Sequence, residues 1–595
     1  MAANSEPAIP RQSTKPTSAG FTSNDGETQA TNLRVCDTCI RKKVKCNQAR
    51  PKCSHCSERG VTCAYSSKRR KPGPPPGSHH RSTTSTPLTN PGHQRNHEED
   101  QIVTQFPSPA HSASTAGHLA SHLLPNQELP TYSNLDASST EEEDLVLTFF
   151  DILQDANPIF SRSRFLNNYR HSLCDSGLIS TITTISARLT KSLSLQESVA
   201  VDDRIDLLLS STAVQDNLFS DTPVLDQFRK SCILAVYEFH QFPGHQSWMR
   251  IGALTRMALR VGLDQLQNPR SLQPEWSAVS EEDLDEWRAI WWCIYRLDSY
   301  SNLSSGTPYL ISEHLVTTAF ILHDPQQSPP LQDNVPRMSL SDQPSDVWKL
   351  LPGVLAHPDT IVANMHNITT TITRQVGSLM RLCKVRPQEE IDVRLTEVDR
   401  RLSALRLALP LNWLNPKRNA FSNESHADHH ARIVTLFQLL MARLLLALLQ
   451  CGVLLDEQWL ISWQEVLEIC QNIACIAEQW DSSFCVKVDP AISFVVFTTL
   501  VFLDIHGKSI TTPDGTLRVQ IEHDKTVLRL MLEQFATIWT LPRLLKLSYV
   551  TFSESIPGSL TDRHIKRIIL RFDAPLHSRW LQFLADPHKY LNDDQ

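Results

Sequence analysis

Six cysteines close together near the N-terminus constrain this chain more than any other feature of its sequence. They lie at positions 36, 39, 46, 53, 56 and 63, with the spacing C-x2-C-x6-C-x6-C-x2-C-x6-C. The pattern is two copies of one unit, C-x2-C-x6-C, and the second copy is shifted by seventeen residues. Thiolates at this density are typical of zinc ligands in a reducing compartment. The repeat therefore predicts a metal site with pseudo-twofold symmetry.

The number of thiolates determines how many zinc ions the site can hold. One tetrahedral zinc needs four sulfurs and would leave two reactive thiolates, whereas two separate zincs need eight. Six thiolates serve two zincs only when two sulfurs bridge both metals. Because the bridges should be equivalent members of the two units, Cys36 and Cys53 are the natural pair, and each zinc takes one unit plus the first cysteine of the other. The predicted ligands are Cys36, Cys39, Cys46, Cys53, Cys56 and Cys63.

Two simpler alternatives use the same cysteines. A metallothionein-like store does not need an ordered repeat beside a long globular chain, and a structural zinc ribbon usually has four ligands. The remaining cysteines are scattered singly, and most lie in apolar helical patterns, so we expect core residues there. They are Cys174, Cys232, Cys293, Cys383, Cys451, Cys470, Cys475 and Cys485.

Charge is distributed unevenly along the chain. Residues 34–71 carry twelve Lys or Arg against two acids, whereas the whole chain has a net charge of -7. A small basic module joined to an acidic body is the electrostatic footprint of a nucleic-acid binder. Between Cys39 and Cys46 the sequence IRKKVK predicts a helix of about two turns, with Ile40 and Val44 facing the metal. The basic residues on its remaining surface are Arg41, Lys42, Lys43 and Lys45.

A second basic run follows the last of these cysteines. It consists of Lys68, Arg69, Arg70 and Lys71. Such a run is a candidate nuclear import signal, a contact to the DNA backbone, or both. The alternative is the start of a soluble linker without either role.

The segment CDTCIRKKVKCNQARPKCSHCSERGVTC resembles the fungal zinc binuclear cluster, the Zn(2)-Cys(6) DNA-binding domain. The cysteine spacing, the basic first loop and Pro51 before the fourth cysteine all fit. The resemblance implies that Lys43 contacts a CGG-type triplet through the major groove of double-stranded DNA, and that Lys42 and Lys45 are mainly phosphate contacts. Many members carry Arg at the position of Ile40, and Arg41 is the candidate replacement for that phosphate contact.

The chain from residue 141 to 590 shows apolar residues at three- and four-residue spacing, which predicts an all-α domain. Its opening, EEEDLVLTFFDILQ, is either an acidic-hydrophobic activation segment or a first helix with acids at its positive end; we favour the helix. The stretches 247–264 and 287–311 are similar to the helical regulatory region found behind many fungal zinc clusters. The motif places are occupied by Trp291, Trp292, Tyr295, Leu297, Asp298, Gly306 and Pro308. We expect these residues mostly to pack in the core.

Composition predicts the domain organisation. Residues 1–33 are polar and turn-rich, and residues 72–140 are rich in Pro, Ser and Thr, so both are expected to be disordered. The predicted architecture is a small irregular two-zinc cluster domain with two short helices and a basic tail (34–71), a disordered linker, and a large all-α domain (141–590). A Pro-, Ser- and Gln-rich insert at 323–346 is expected to be a surface loop within that domain.

Several other classes of protein are not supported by the sequence. The N-terminus does not resemble a signal peptide, and the apolar stretches 433–455 and 491–503 predict buried core helices rather than membrane spans. The sequence HADHH (426–430) is a candidate metal site, although a solvated helix cap is the favoured interpretation. Phosphate-binding Gly-rich loops, G-x-S-x-G and H-E-x-x-H do not occur, so we do not expect an enzyme.

Together these observations predict a nuclear, sequence-specific regulator of RNA polymerase II transcription that binds two zinc ions per chain. The expected partners are double-stranded DNA and the transcription machinery or coactivators, with no membrane, and any homodimer is expected to form through the helical domain. The resemblance favours an activator of a metabolic pathway or a secondary-metabolite gene cluster, with a repressor as the alternative. The rivals from other classes are a zinc-stabilised enzyme and an RNA-binding protein. RNA binding is less favoured because the cluster lacks the aromatic residues on which single-stranded bases stack, and Tyr65 is the only aromatic residue near it.

Overall fold

A computed structural model gives the fold of most of the chain. It describes residues 35–42, 44–49, 51–63, 139–191, 193–210, 224–266, 268, 276, 279–321, 338–340, 346–357, 360–418, 420–421, 424–453, 457–510, 515–556 and 558–591. The contacts divide the chain into two compact units, residues 1–123 and 124–595. The segment predicted to be disordered at 1–33, nearly all of the 72–140 linker and most of the 323–346 insert lie outside the described residues.

The first unit contains two five-residue helices, α1 (Asp37–Arg41) and α2 (Ser54–Glu58), joined by irregular chain. The buried apolar residues in its described part are all cysteines: Cys36, Cys39, Cys53 and Cys56. Helices this short are not stable alone in water. The described part of this unit therefore has no hydrophobic core other than its cysteines, and the predicted small cluster with two short helices is confirmed.

The second unit is built from α-helices. Its described residues contain no strand, only two isolated bridges, between Ala319 and Ser339 and between Ser509 and Leu560. The predicted large all-α fold is confirmed. The α-helices are α3 Ser139–Thr148, α4 Arg162–Arg170, α5 Ser176–Thr190, α6 Leu195–Ser210, α7 Leu225–Gln241, α8 His245–Arg260, α9 Glu281–Ser305, α10 Leu351–Leu355, α11 Ile361–Leu382, α12 Gln388–Ala408, α13 Leu411–Leu414, α14 His426–Val453, α15 Glu457–Ala477, α16 Ile492–Lys508, α17 Thr516–Ile538, α18 Thr540–Ser555, α19 Asp562–Ile569, α20 Ser578–Ala585 and α21 Pro587–Leu591.

Helices α14 and α16 form the apolar centre of the second unit. Helix α14 packs against α11, α12, α15 and α16, and 78% of its most apolar window is buried. Helix α16 is buried from Ile492 to His506. A helix that is apolar on all sides is stable in a globular protein only when other elements surround it. Both stretches are core helices, as predicted.

The opening of the helical unit confirms the prediction of a helix there. Helix α3 carries Glu141 and Glu142 in its first turn, where carboxylates interact favourably with the positive end of the helix dipole. It continues into a short π-helix, Phe149–Leu153. Leu145 and Phe149 are buried, so the acidic-hydrophobic pattern serves to dock this segment on the body.

Helix α9 carries the tryptophan-rich motif, and specific residues at its two ends determine where it begins and ends. The hydroxyl of Ser280 accepts a hydrogen bond from the amide of Asp283 at 3.2 Å, and this caps the N-terminus. The helix ends at Gly306, which has φ of +71°, a left-handed conformation that glycine adopts without strain. Helix α9 packs against α7, α8 and α11.

Candidate metal centre and nucleic-acid interface

The two cysteine units adopt the same backbone conformation. Each helix starts directly after the first cysteine of its unit and contains the second cysteine, Cys39 in α1 and Cys56 in α2. After each helix, a backbone amide donates to the carbonyl of that second cysteine: Val44 to Cys39 at 3.1 Å and Val61 to Cys56 at 3.0 Å. These contacts are related by the seventeen-residue shift of the sequence repeat. The two sequence repeats thus share one local backbone arrangement, whereas the predicted pseudo-twofold symmetry of the metal site stays a prediction.

The sulfurs converge at distances that fit zinc. The Sγ of Cys36 lies 3.7 Å from those of both Cys53 and Cys56, and 3.9 Å from that of Cys46. The Sγ atoms of Cys39 and Cys53 are 3.6 Å apart. Zinc–sulfur bonds of about 2.3 Å in a tetrahedron place the sulfurs roughly 3.8 Å apart. The thiol donor set and its spacing therefore suit tetrahedral zinc.

The pattern of short contacts also bears on which sulfurs bridge. Each of the four sulfur pairs within hydrogen-bond range includes Cys36 or Cys53. The sulfurs of Cys36, Cys39, Cys53 and Cys56 all lie within 4.8 Å of one another. These distances are compatible with two tetrahedra that share the edge between Cys36 and Cys53, and the bridging assignment stays a prediction.

Burial and hydrogen bonds from backbone amides shift the pKa values of the thiols in opposite directions. Burial raises the pKa of Cys36, Cys39 and Cys56. By contrast, the backbone amides of Cys36 and Gln48 lower the pKa of Cys46 to about 7. Zinc binds thiolates, so metal binding at the buried sulfurs must displace protons. Bound zinc would supply positive charge beside these sulfurs and so favour their thiolate form.

Polar contacts connect the two cysteine repeats, residues 36–46 and 53–63, to each other. The amide of Ser54, at the start of α2, donates to the side-chain oxygen of Asn47 at 3.0 Å. The hydroxyl of Thr38 in α1 donates to the carbonyl of Thr62 at 2.9 Å. Asn47 thus satisfies an amide at the N-terminus of the second helix. Sequence reasoning missed this role, because the cap lies seven residues before the helix rather than next to it.

The predicted two-turn helix between Cys39 and Cys46 is wrong. Helix α1 ends at Arg41, and Val44 is 36% exposed instead of facing the cysteines. The helix lies further towards the N-terminus because Cys36 and Cys39 are three residues apart, a spacing that places both sulfurs on one side of a single helical turn. Among the described basic residues, Lys42 and Lys45 therefore lie after the end of α1 and not along a helix.

The described basic residues of this loop face solvent. Lys42 and Lys45 are exposed. Arg41 is the last residue of α1. Lys43 and the run Lys68 to Lys71 lie outside the described residues, so their predicted roles stay predictions. At the positions equivalent to Lys42 and Lys45, the second cysteine repeat has Arg59 and Thr62. The two cysteine repeats therefore have similar backbone conformations but differ in charge.

The tryptophan-rich motif of α9 is packed as predicted. Trp291, Trp292 and Tyr295 are fully buried and Leu297 is 4% exposed. The indole nitrogen of Trp292 donates to the carbonyl of Ala319 at 2.9 Å. These side chains hold helices together rather than lining a surface.

The histidines of HADHH contradict the predicted solvated cap. They do begin a long helix, α14, but His429 and His430 are 2% and 1% exposed. The His430 ring stacks on Phe484 at 3.8 Å, and its Nε2 accepts a hydrogen bond from the amide of Asp481. Among the described residues, the four buried cysteines of the first unit are the group arranged to hold a metal ion, and these histidines are not.

Comparisons with protein families match both units. The model of the fungal Zn(2)-Cys(6) binuclear cluster domain matches residues 34–72. The model of the fungal specific transcription factor domain matches residues 146–409. Together the two matched ranges span just over half of the chain. No solved structure matches the chain.

Curated relatives match with low identity. The citrinin biosynthesis transcriptional activator of Monascus ruber is 24% identical over 334 residues, covering 48% of this chain and 62% of the relative. A citrinin biosynthesis transcriptional activator of Monascus purpureus is also 24% identical, covering 48% of this chain and 55% of the relative. The azaphilone cluster-specific transcription factor of Aspergillus niger is 25% identical over 294 residues, covering 48% of this chain and 60% of the relative. The chain thus spans somewhat less than two thirds of the length of these relatives.

Proposed function

Because the chain belongs to the fungal Zn(2)-Cys(6) transcription factor family, we propose that it is a nuclear, sequence-specific DNA-binding regulator of RNA polymerase II transcription. The observation that carries this proposal is the compact six-cysteine cluster with exposed lysines on the loop beside it. We assign Lys42 and Lys45, both exposed, to phosphate contacts, which supply affinity for DNA without sequence preference. Lys43 is assigned to the reading of a base triplet of the CGG type.

The zinc ions act as the core of the DNA-binding unit. The cluster domain of this family binds two zinc ions. We assign Cys36, Cys39, Cys46 and Cys53 to one, and to the other the set Cys53, Cys56, Cys63 and Cys36. Since the buried apolar residues in the described part of this unit are cysteines alone, loss of zinc should unfold the unit and abolish DNA binding. Binding free energy is then folding free energy, as in other small zinc domains.

The same ligand count argues against an enzyme. A catalytic zinc keeps one coordination position open for water or substrate, whereas structural zinc sites are closed. In the bridged arrangement six thiolates fill every position of both tetrahedra. The proposed role of the metal is therefore structural, and the chain is proposed not to be an enzyme.

We further infer the domain organisation and the partners. The cluster domain with its basic tail is placed at 34–71 and the regulatory domain at 141–590, joined by the 72–140 linker. The large helical domain is proposed to contact coactivators or the transcription machinery, and to form any homodimer. The relatives named above are activators or cluster-specific factors for citrinin and azaphilone production. This chain is accordingly proposed to activate one secondary-metabolite gene cluster.

Mobility-shift titration of the full chain tests the DNA-binding proposal. We expect tight binding to a duplex that contains a CGG triplet, weaker binding to the same duplex with the triplet scrambled, and loss of both complexes after zinc is removed by a chelator. Duplex RNA of the same sequence should compete poorly. Equal affinity for the intact and scrambled triplets would contradict sequence-specific binding, and preference for the RNA would favour the RNA-binding alternative.

Transcript profiling with and without the gene separates an activator from a repressor. Deletion should lower the transcripts of one group of neighbouring biosynthetic genes. A rise in those transcripts would identify a repressor. Unchanged transcripts, under conditions in which the protein is present, would contradict a role in transcription.

A further inference from the structure

The helical unit contains a cavity of about 840 Å³. It lies between α11, α14 and the segments that precede α4 and α16. Ligand sites for small molecules typically have volumes of about 300–1,000 Å³ with mostly apolar walls and a few placed polar groups. In the part of the chain that the structure describes, the lining includes the aromatic residues Trp413, Phe421 and Phe484 and the aliphatic residues Ile361 and Val434. Three cationic side chains also line it, those of Arg296, Arg432 and Lys487.

Arg296 differs from the other buried arginines of the described chain. Four of the five have a carboxylate partner: Arg229 with Glu286, Arg288 with Glu281, Arg374 with Asp298 and Arg432 with Glu424. Arg296 is 3% exposed and has none. Its two terminal nitrogens donate to amide oxygens instead, to Asn367 at 3.1 Å and to Asn157 at 3.1 Å. Its Nε is buried without a hydrogen-bond partner.

Four carboxylates line the cavity, those of Asp155, Glu424, Asp428 and Asp489, and the last three have contacts with groups other than Arg296. Asp489 accepts a hydrogen bond from the amide of Ala491 at 2.9 Å and lies 3.5 Å from Nε2 of His240. Glu424 is paired with Arg432, and Asp428 accepts from the hydroxyl of Ser425. Among the described residues, no carboxylate oxygen comes within 4.0 Å of a nitrogen of Arg296.

Burying a charge without an opposite charge beside it costs free energy, and proteins pair such groups or use them to bind ligands. Arginine presents a planar fork that matches a carboxylate through two parallel hydrogen bonds. We propose that the cavity binds a small organic acid with an aromatic or otherwise apolar body. Its carboxylate pairs with Arg296, and its body packs against Trp413, Phe421 and Phe484. This proposal concerns the helical unit alone and does not depend on DNA binding by the cysteine cluster.

Fluorescence titration of the full chain with 1-pyrenebutyrate tests the proposal, with the neutral 1-pyrenebutanamide as its matched counterpart. The acid should bind saturably at one site per chain and more tightly than the amide. Arg296→Gln should weaken binding of the acid by about tenfold or more, which is the usual effect of losing a charged hydrogen-bond pair, and should leave binding of the amide nearly unchanged. Arg443→Gln removes a guanidinium that pairs with Glu465 outside the cavity and should alter neither affinity.

A second variant keeps the test valid if Arg296→Gln fails to fold, which melting followed by circular dichroism would reveal. Ala363→Phe retains Arg296 but places a phenyl ring into the cavity from α11, and it should weaken the acid and the amide alike. Three results would overturn the proposal: no saturable binding of the acid, equal affinity of the native chain for acid and amide, or full affinity retained in Ala363→Phe. Full acid affinity in a folded Arg296→Gln variant would overturn it equally.

Discussion

Arg374 and Asp298 form an ion pair in the interior of the helical unit, with Nη1 of the arginine 2.9 Å from Oδ2 of the aspartate. Both side chains are at most 1% exposed. Asp298 also accepts hydrogen bonds from the backbone amides of Leu310 and Ile311, and the guanidinium lies 4.1 Å from the ring centre of Tyr309. The pair therefore fastens α11 to α9 and to the turn that follows α9.

Removal of Arg374 should destabilise the helical unit strongly. Arg374→Met leaves Asp298 charged and buried without its partner, a change that costs about 3–5 kcal/mol in comparable sites. Arg394→Met is the matched control, because Arg394 pairs with Glu390 on the exposed face of α12, and such surface pairs contribute roughly 0–1 kcal/mol. Thermal unfolding of the full-length variants measures the difference. Similar melting temperatures for the two variants would show that the buried pair contributes little.

The ion pair illustrates what the sequence can and cannot predict about the fold. The helical periodicity around Asp298 predicts a buried helix, and the packing of Trp291 and Leu297 follows from it. The partner of Asp298 lies 76 residues further along the chain, and local patterns carry no information about such a pairing. The burial of the α14 histidines escapes prediction for the same reason, because only the tertiary fold brings Phe484 and Asp481 against His430.

The cysteine cluster is more predictable because covalent spacing limits it so strongly. The number of sulfurs and their repeat are enough to predict the metal and its stoichiometry. The position of α1 does not follow from them, since the six-residue gap between Cys39 and Cys46 suggests a helix there. In the folded chain the ligand geometry at Cys36 and Cys39 determines where the helix lies, and this effect outweighs the helix propensity of the lysines.

Zinc content distinguishes the bridged cluster from simpler arrangements. The full chain should contain two zinc ions, and Cys36→Ala should lose more zinc and more order than Cys63→Ala, because Cys36 is assigned to both metals. Cys475→Ala, which removes an exposed cysteine outside the cluster, should leave the zinc content unchanged. Metal analysis of the purified chains gives the ratio. One zinc per native chain, or equal losses in the two cluster variants, would rule out the bridged assignment.

Lys43 and Lys45 should have different effects on DNA binding. Lys43→Ala should lower affinity for the specific duplex and relax discrimination at one base pair by about 1–3 kcal/mol. Lys45→Ala should weaken specific and random duplexes alike and reduce the slope of log affinity against log salt by about one. Titrations at several salt concentrations measure both effects. If Lys43→Ala weakens both duplexes equally, Lys43 contacts phosphate and the assignment of base reading is wrong.

His506 should make the helical unit sensitive to acid. Its ring is 3% exposed and stacks on Trp463 at 3.7 Å, and burial lowers its pKa from 6.5 to about 3. In the unfolded chain His506 is protonated below pH 6.5, whereas in the folded chain it stays neutral down to about pH 3. The contribution of neutral His506 to the free energy of unfolding is therefore complete above pH 6.5 and is lost as the pH falls. At pH 5 the loss should be about 2 kcal/mol.

Unfolding of variants between pH 7.5 and pH 5 isolates this contribution from those of other histidines. His506→Phe should show a smaller drop in stability over this range than the native chain does. His523→Phe is the control, because His523 lies on the surface beside Glu478, and it should retain the native pH dependence. An unchanged pH dependence in His506→Phe would mean that this histidine is protonated in the folded state or does not govern acid unfolding.

The stoichiometry on DNA should differ between the cluster and the full chain. Many family members dimerise through a coiled coil just after the cluster, and such a coil needs apolar a and d positions over several heptads. The sequence after Cys63, AYSSKRRKPGPPPGSHHRSTTSTPLTNPG, has almost no large apolar residues. Its prolines interrupt any continuous helix; they stand at positions 72, 74, 75, 76, 87 and 91.

We therefore expect a fragment of residues 30–100 to bind a single triplet as a monomer, whereas any dimer of the full chain forms through the helical unit. A proline-rich linker without a coil should also let such a dimer accept triplets at varied spacing. Sedimentation of the fragment and of the full chain, combined with mobility-shift titration on duplexes with one or two triplets, measures both properties. If residues 30–100 alone form a tight, cooperative dimer on paired triplets at one fixed spacing, dimerisation resides next to the cluster and this prediction fails.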